Sequence, residues 1–339
     1  MSKISIALCT YNGAKFLSAQ LDSFLRQTRL PDEIIVGDDC SIDETVSILE
    51  NFAARAPFPV SVRVNETNLG STGNFEKTIL SCTGDLIFLS DQDDVWLPEK
   101  LARIEAEFER KPDVGLIFSD AELIDEDSNS LKLRLWDFTF PEAEREKMKN
   151  GKIIEVLLWE NIVTGATAAF RSKFLSLVTP IPDDIPNVIH DGWITLVIAA
   201  LGKIESIEEP LILYRQHRNQ QLGLNLEQQV KFKQLSRREV YEESIIFHQN
   251  EKKRVLLMQE VLNKYEQFRN LRAKPSVGIF VENFLEERDQ KIAHYRARKD
   301  LPDNRLGRLS PVAKELSSGR YHRFSKGFLS AAKDLIEKW

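Results

Sequence analysis

The chain has 339 residues, of which 42% are apolar and 29% are charged, and its formal net charge is −6. This composition is typical of a soluble globular protein with one large domain and an appendage, or with two domains. The acidic balance excludes bulk electrostatic attraction to nucleic acid, so no nucleic-acid partner is expected. The charge is uneven, because residues 291–339 hold twelve Lys/Arg against five Asp/Glu. A basic C-terminal segment therefore follows an acidic body.

The first part of the chain alternates strand and helix patterns. Short β-rich apolar runs predict strands at residues 3–9, 33–37, 60–64, 85–90 and 114–119. Apolar faces with helical spacing lie between them, at residues 16–25, 45–52, 73–80 and 100–110. Strands regularly separated by helices predict an α/β fold with a mostly parallel, Rossmann-like central sheet flanked by helices.

The pattern changes after residue 120. Residues 164–170 predict a strand of small side chains, residues 191–201 a buried helix and residues 211–215 a further strand. Beyond about residue 223 the chain is charged and helical, without clear strands. We therefore predict an α/β domain at residues 1–220, followed by a helical segment.

The cysteines and the apolar runs indicate the compartment. Cys9, Cys40 and Cys82 are far apart and odd in number, and none of them forms a CxxC or Cys/His spacing that binds zinc. Reduced thiols in the cytoplasm are the interpretation that this pattern favours. The N-terminus lacks the features of a signal peptide, and no stretch approaches the roughly 20 apolar residues that span a bilayer. A cytoplasmic protein is therefore expected.

Polar residues follow four of the predicted strands: Thr10-Tyr11-Asn12, Asp38-Asp39, residues 65–68 and Asp91-Gln92-Asp93. Ligands of open α/β sheets bind outside the carboxyl ends of the strands, so these clusters are expected to converge. The first loop, CTYNGA, is neither a GxGxxG turn nor a P-loop. A phosphate ligand would then need its charge neutralised in another way, most simply by a divalent cation held by carboxylates.

The segment LSDQDDVW places three carboxylates within four positions. Asp91 and Asp93 are two residues apart, so in an extended chain both side chains point to one face and could share one cation. Asp94 precedes Pro98 and a predicted helix, and it is expected to start that helix. The alternative for the whole cluster is a solvated turn, but the three other polar strand ends favour a functional site.

Several segments resemble family 2 glycosyltransferases, which are nucleotide-sugar enzymes with the GT-A fold. ALCTYNGAKFLSAQLDSFLRQT is similar to their opening strand and helix, and VGDDCSIDET to their Asp-Asp-x-Ser-x-Asp-x-Thr segment. NETNLGSTGNFEKTILSCTGDLIFLSDQDDVWLPEKL is similar to the stretch that leads into their DxD motif, and HDGWITLVIAALGKIESIEEPLILYRQH to their acidic catalytic segment. The resemblance covers roughly residues 1–220. Within the family, LSDQDDVW and HDGW…YRQH resemble bacterial rhamnosyltransferase-type members that build surface polysaccharides.

The resemblance implies a nucleoside-diphosphate sugar donor bound together with Mn²⁺ or Mg²⁺. Asp93 would be the direct ligand of the cation, and Asp91 would contact the ribose or the water shell of the cation. Asp39 would accept a hydrogen bond from the pyrimidine ring N–H. For Asp38 and Asp39, capping of the next helix is the alternative role, and Asp38 is expected to be the more structural of the two. The other donor-binding residues would be Thr10, Tyr11, Asn12, Asn68 and Gly73.

The same resemblance makes Asp191, in IHDGW, the general base. A nucleoside diphosphate is already a good leaving group, so the remaining task is removal of the proton from the acceptor hydroxyl. Direct attack with one base implies an inverting transferase. His190 would tune Asp191 or contact phosphate, and a structural neutral imidazole is the alternative. Arg215 and His217 would clamp the departing diphosphate, or His217 would join the cation; an exposed polar loop is the alternative.

A helical, basic extension is predicted for residues 221–339, with breaks at Lys274-Pro275 and at residues 300–303. Its last segment, RYHRFSKGFLSAAKDLIEKW, predicts a basic amphipathic helix that suits the interface of an anionic membrane. Packing on the catalytic domain or on a homodimer partner is the alternative. The apolar positions of this helix are Phe324, Phe328, Ala331, Ala332, Leu335, Ile336 and Trp339.

These observations predict a metal-dependent, inverting glycosyltransferase. It would move a hexose or rhamnose from a UDP- or dTDP-sugar to a hydroxyl of a growing saccharide, with a lipid-linked acceptor as one option. Its location would be the cytoplasm, with peripheral contact at the inner face of the cell membrane. Two alternatives are a sugar-nucleotide pyrophosphorylase, which would need a Gly-rich, basic first loop, and a non-catalytic nucleotide- or polysaccharide-binding module. The intact set of Asp39, Asp91, Asp93 and Asp191 argues against the second.

Overall fold

The computed structural model describes residues 1–158, 161–183, 189–218, 220, 236–269 and 275–337. The chain forms two compact units, Met1–Leu224 and Asn225–Trp339. In the described residues, the first unit contains all the strands and the second contains helices alone. The predicted domain boundary falls at residue 221, which lies outside the described residues.

The first unit is built on one sheet, which has nine strands in the described residues. They are β1 Ile4–Thr10, β2 Glu33–Asp38, β3 Val60–Val64, β4 Leu86–Ser90, β5 Val95–Trp96, β6 Val114–Ile124, β7 Ser130–Arg134, β8 Ala168–Arg171 and β9 Lys203–Arg215. The order across the sheet is β3-β2-β1-β4-β8-β6-β9-β5, and β7 pairs with β6.

The sheet is mostly parallel, as the alternating pattern predicted. β1 pairs in parallel with β2 and β4, β2 with β3, and β6 with β9. β8 is antiparallel to both β4 and β6, and the short β5 and β7 are antiparallel to their neighbours. Six strands therefore point in one direction, and their carboxyl ends lie along one edge.

Helices connect the strands and cover the sheet. In the first unit they are α1 Ala14–Leu25, α2 Thr45–Ala53, α3 Gly70–Ile79, α4 Lys100–Arg110, α5 Trp136–Thr139, α6 Glu142–Lys149, α7 Ile153–Leu157, α8 Leu175–Val178 and α9 His190–Leu201. β1 and β4 are buried along their whole length, which is typical of parallel strands covered on both faces. The α/β prediction is therefore confirmed.

The largest differences from the predicted elements are in β6, β8 and β9. β6 continues to Ile124 and β9 begins at Lys203, because the two strands pair in parallel over most of their length. Neither extension is visible as an apolar run, since charged residues interrupt both. The strand predicted at residues 164–170 is only half formed: Gly165–Thr167 is a 3₁₀ turn, and the strand starts at Ala168.

The second unit contains five helices in its described residues. They are α10 Arg237–Arg269, α11 Pro275–Lys299, α12 Arg305–Ser317, α13 Arg320–Phe324 and α14 Phe328–Ile336. Its buried centre includes the carboxylate of Asp334, which accepts hydrogen bonds from Arg298 Nε (2.6 Å), Arg298 Nη2 (3.0 Å) and the Tyr321 hydroxyl (2.6 Å). A buried ion pair with a third donor thus joins α11, α13 and α14.

The prediction of one continuous amphipathic helix at the C-terminus is wrong. The helix is interrupted at residues 325–327, where Gly327 adopts a φ of 56°. The apolar residues of α14 then divide, with Ala331 buried and Phe328 and Ile336 more than 60% exposed. Trp339 lies outside the described residues. Within the described residues, none of the helices is both long and apolar enough to cross a bilayer.

Candidate active site

The loops after the parallel strands surround a cleft of about 670 Å³ in the first unit. It opens where the carboxyl ends of β1, β2, β4 and β9 meet α3 and α9. Eight of the predicted site residues line it: Thr10, Tyr11, Asp39, Asn68, Asp91, Asp93, Asp191 and His217. Asn12, Gly73 and Arg215 are not among its lining residues. The expected convergence of polar strand ends is therefore observed.

Asp38 stabilises the chain segments that carry the site. Its carboxylate is fully buried and accepts hydrogen bonds from the Thr10 hydroxyl (2.8 Å), the Ser41 N–H (2.9 Å) and the Ser41 hydroxyl (2.6 Å). These bonds tie the end of β1 to the loop after β2. Thr10 therefore reaches the cleft with its hydroxyl already engaged, and Asp38 has the structural role expected of it.

The loop after β1 is tied by hydrogen bonds to two other loops. Asn12 has a φ of 48°, and its side-chain oxygen accepts a hydrogen bond from the Ile42 N–H (2.9 Å). Gln92 accepts from the Tyr11 N–H (2.8 Å) and donates to the Tyr11 carbonyl (3.0 Å). A Cβ on Gly13 would lie 2.0 Å from Gln92 Oε1, so glycine leaves room for this clamp. The half-exposed Tyr11 ring is thereby held at the cleft rim.

Asp39 joins the end of β2 to the start of α3. Its carboxylate accepts hydrogen bonds from the N–H groups of Leu69 (2.8 Å) and Gly70 (2.8 Å) and from the Asn65 amide (2.9 Å). The Asn68 amide donates to the Asp39 carbonyl (3.1 Å). These bonds orient the carboxylate at the wall of the cleft. Gly73 is one turn further along α3, away from the lining.

The acidic loop, residues 91–94 directly after β4, concentrates negative charge in the cleft. Burial, followed by the nearby carboxylates of Asp93 and Asp191, raises the pKa of Asp91 to about 8, while the buried Lys100 acts in the opposite direction. Three carboxyl groups gathered in this way form a site whose charge is incompletely balanced by the protein. A divalent cation would supply the missing positive charge.

Asp93 and His217 form a pair inside the cleft. His217 Nε2 lies 2.8 Å from Asp93 Oδ2, and the imidazole packs against Phe16 at a ring-centroid distance of 4.8 Å. A carboxylate oxygen and an imidazole nitrogen are ligands that suit Mn²⁺, and carboxylates alone suit Mg²⁺. The described residues contain no group of three or more His, Cys, Asp and Glu side chains arranged to hold a metal. A cation here would therefore need oxygens from its ligand as well.

Asp94 does not start the following helix, so that prediction is wrong. α4 begins at Lys100, and Asp94 is fully buried with Oδ1 accepting a hydrogen bond from the Arg215 N–H (3.0 Å). Burial and the adjacent carboxylates raise its pKa well above the usual range. Lys100 is also fully buried, lies over the Trp96 ring (3.6 Å) and donates to the Ala166 carbonyl. Asp94 and Lys100 thus form a layer of buried polar side chains behind the rest of the acidic loop.

Arg215 belongs to this layer and does not face the cleft. It is 1% exposed, and its Nε donates to the Asp93 carbonyl (2.7 Å). Its Nη1 donates to the carbonyls of Asp125 (2.9 Å) and Glu126 (3.1 Å) and to the Ser128 hydroxyl (2.9 Å). The guanidinium expected to clamp a diphosphate is instead occupied by backbone groups that fix the acidic loop.

Asp191 is in the first turn of α9 and is buried in the cleft wall. Its Oδ1 accepts hydrogen bonds from the Asn161 amide (2.8 Å) and the Gly192 N–H (2.6 Å), and its Oδ2 accepts from the Gly165 N–H (2.8 Å). Three donors from two segments therefore fix the direction of this carboxylate. It shares the cleft with Asp91 and Asp93.

Four residues that contribute to the site were missed by sequence reasoning: Gln92, Lys100, Asn161 and Gly165. Gln92 lies inside LSDQDDVW, and its position between two aspartates was the available signal. In the sequence, Lys100 cannot be told from an ordinary surface residue of a helix. Asn161 and Gly165 act on Asp191 across 30 and 26 positions, so no local pattern could reveal them.

The family model for glycosyl transferase family 2 matches residues 5–175, which is half of the chain. The chain belongs to this family. The transferase is 29% identical over 223 residues to an uncharacterized glycosyltransferase of Nostoc, a match that covers 63% of this chain and 65% of that protein. It is 26% identical over 243 residues to dTDP-rhamnosyl transferase RfbG of Shigella flexneri, covering 67% and 78%. The match thus spans just under two thirds of the Nostoc protein.

Solved structures show the fold of the transferase. Residues 1–349 of S. aureus TarS in complex with UDP-GlcNAc superpose with a TM-score of 0.53 at 17% identity, covering 95% of this chain and 92% of that one. The complex with UDP gives a TM-score of 0.52 at 18% identity, with 95% and 91% coverage. The sheet and its helices therefore form the GT-A fold that the motifs predicted.

Proposed function

We propose that this glycosyltransferase moves a sugar from a nucleoside-diphosphate sugar to a hydroxyl group of a saccharide, with inversion at the anomeric carbon. The observation that carries the proposal is the convergence of Asp39, Asp91, Asp93 and Asp191 in one cleft. The four come from separate segments, and each has a different task in such a transfer. A non-catalytic binding module would have no need for the oriented Asp191.

The nucleotide occupies the side of the cleft formed by β1, β2 and α3. Asp39 accepts a hydrogen bond from the ring N–H of a pyrimidine, and Asn68 borders the base and ribose. The Tyr11 ring covers the nucleotide from the rim, beside Thr10. Asn12 and Gly73 serve through the backbone that they shape. The proximity of these residues to one another supports this arrangement.

Asp93 and His217 hold a divalent cation, Mn²⁺ or Mg²⁺, and Asp91 contacts the ribose or a water of the cation. The bound cation supplies positive charge to the diphosphate as it leaves. Arg215 acts indirectly, because it holds the Asp93 carbonyl rather than a phosphate. Burial and the repulsion from Asp93 and Asp191 raise the pKa of Asp91, which supports a cation at this position.

Asp191 accepts the proton of the acceptor hydroxyl. The hydroxyl oxygen forms the new bond to the anomeric carbon, and the diphosphate departs with the electron pair of the bond that breaks. The bonds from Asn161 and Gly165 keep the carboxylate directed at the hydroxyl. One base and one displacement give inversion.

The donor is dTDP-rhamnose or a UDP-hexose, and the product belongs to a cell-surface polysaccharide. The similarity to RfbG, named as a dTDP-rhamnosyl transferase, supports the first donor. The similarity to TarS, solved with UDP and UDP-GlcNAc, supports the second. A sugar-nucleotide pyrophosphorylase is disfavoured, because the first loop lacks basic residues.

The C-terminal unit contacts an anionic membrane or a second copy of the chain, and the enzyme works at the cytoplasmic face. In α14, Phe328, Leu329 and Ile336 are exposed by 68%, 69% and 61%, and Lys326 and Lys333 are exposed beside them. Such a surface suits lipid-linked acceptors.

Co-sedimentation with phosphatidylglycerol vesicles should be lost in Phe328→Glu but kept in Leu80→Glu, which alters an exposed leucine of the first unit. A concentration-dependent dimer that Phe328→Glu dissociates would identify the second copy instead.

A donor screen tests the activity. Hydrolysis and transfer are measured with UDP-glucose, UDP-galactose, their N-acetyl forms and dTDP-rhamnose, each with Mn²⁺ or Mg²⁺. Thermal shift by UDP or dTDP with Mn²⁺ reports binding separately. If no nucleoside diphosphate stabilises the protein and no donor is consumed, the proposed function is wrong.

A further inference from the structure

His190 is a buried histidine in the wall of the cleft. It begins α9 directly before Asp191 and is 4% exposed. Its ring stacks on Phe75 of α3, with the centroids 3.7 Å apart and the planes 15° from parallel. Because Phe75 covers one face of the imidazole, polar contacts are left to the ring edge, which carries both nitrogens.

Neither ring nitrogen of His190 has a hydrogen-bond partner among the described residues. Buried polar groups are nearly always paired, and an unpaired one costs free energy. Three other histidines each have at least one paired ring nitrogen: Nδ1 of His248 and of His294 meets a glutamate at 2.7 Å, and Nε2 of His217 meets Asp93, although Nε2 of His294 has no partner among the described residues. A purely structural role does not explain why His190 has no such partner.

The position of the ring edge indicates what it could bind. A Cβ on Gly165 would lie 3.0 Å from His190 Nε2 and 3.4 Å from Asp191 Oδ2, so both atoms pack closely against Gly165, and all three residues line the cleft. A group bound by His190 Nε2 is therefore next to the carboxylate that would remove the acceptor proton. In the cleft, that is where the reacting sugars meet.

The protonation state of His190 favours one ligand chemistry. Burial lowers the pKa of His190 below the ordinary value, although the nearby Asp191 carboxylate acts in the opposite direction. The ring is therefore neutral. A neutral imidazole has one donor and one acceptor, which matches a hydroxyl group and not a doubly charged phosphate. A hydroxyl can pair with either ring nitrogen, whereas an ionised phosphate can pair only with the donor, so a hydroxyl is favoured over the phosphate contact.

We propose that His190 is a substrate-binding residue whose free ring edge hydrogen-bonds a sugar hydroxyl beside Asp191. The inference rests on the proposed transferase function and adds a recognition role to it. The hydroxyl belongs either to the transferred sugar or to the acceptor saccharide. Phe75 holds the plane of the imidazole, and the lack of a side chain at Gly165 lets His190 Nε2 and the Asp191 carboxylate lie close together.

The test compares His190→Phe with His190→Gln. Phenylalanine keeps the stack on Phe75 and removes only the nitrogens, so thermal stability should be kept or raised. We expect His190→Phe to lose about tenfold or more in kcat/KM, because the sugar hydroxyl is left unpaired. His190→Gln, which retains a donor and an acceptor, should recover part of that loss. A structural role would instead leave His190→Phe fully active.

Two readouts locate the hydroxyl. If it belongs to the donor, His190→Phe slows hydrolysis of the donor that the wild type uses and weakens binding of that donor, but not of UDP or dTDP. If it belongs to the acceptor, hydrolysis is unchanged and the KM for acceptor rises. Wild-type kcat/KM in a folded His190→Phe, or loss of UDP and dTDP binding, overturns the inference. A wild type without any donor turnover would refute the proposed function first, which keeps the two failures distinct.

Discussion

Replacement of Arg215 by methionine separates a supporting role from a ligand-binding role. In the structure, the guanidinium makes four hydrogen bonds to three carbonyls and one hydroxyl, and it is 1% exposed. Methionine fills similar volume but leaves these acceptors without their donor. Hydrogen bonds from a charged group are worth roughly 1.5–3 kcal/mol each and are not additive, so a loss of about 3–5 kcal/mol in unfolding free energy is expected.

The loss should be measured by thermal and urea unfolding. For a unit of this size, each kcal/mol lowers Tm by roughly 2–4 °C, so Arg215→Met should unfold about 6–20 °C below the wild type. Arg55→Met is the matched control, because Arg55 is 63% exposed and its contacts are a surface ion pair with Asp22 at 3.4 Å and the Phe52 ring at 5.9 Å. That variant should change stability by less than about 0.5 kcal/mol.

The opposite pattern would refute the reasoning. If Arg215→Met kept the wild-type Tm but bound UDP or dTDP more weakly with Mn²⁺ present, the guanidinium would contact phosphate in the working enzyme. The position of Arg215 behind the acidic loop would then not represent the bound state.

Three further predictions follow from the site and from the C-terminal unit. Asp191→Asn should lower kcat by roughly 10²–10⁴-fold while UDP or dTDP binding is unchanged, and full transfer activity would exclude Asp191 as the base. Asp93→Asn should abolish the Mn²⁺-dependent part of the nucleotide thermal shift, and His217→Ala should reduce it; an unchanged shift in both would place the cation elsewhere. Asp334→Asn should cost about 3–5 kcal/mol in urea unfolding because the buried Arg298 loses its anionic partner, and wild-type stability would contradict that role.

The fold was largely accessible from the sequence. The parallel strands β1, β2 and β4 appear as short buried apolar runs, and the helix Lys100–Arg110 has the predicted bounds. Local burial dictates these elements, because a strand covered on both faces must be apolar throughout. The outer strands were less accessible, since the charged first half of β9 is defined by its pairing with β6.

The site was accessible only in part. Asp39, Asp91, Asp93, Asp191 and His217 could be selected because their residue types follow strand ends in a recognisable order, and all line the cleft. Asp94 was misjudged because the capping rule considers only the following helix. Its actual partner is the backbone of Arg215, 121 positions away.

By itself, the sequence determined the alternation of strands and helices and the polar groups that end each strand. These features depend on neighbours within a few positions, which is the range over which periodicity and turn chemistry act. Only the tertiary structure decided what each polar group does: which aspartate is buried, which arginine supports the loop, and which histidine has a free edge. Hydrogen bonds and burial between segments more than 100 positions apart set those roles, and one sequence does not display such contacts.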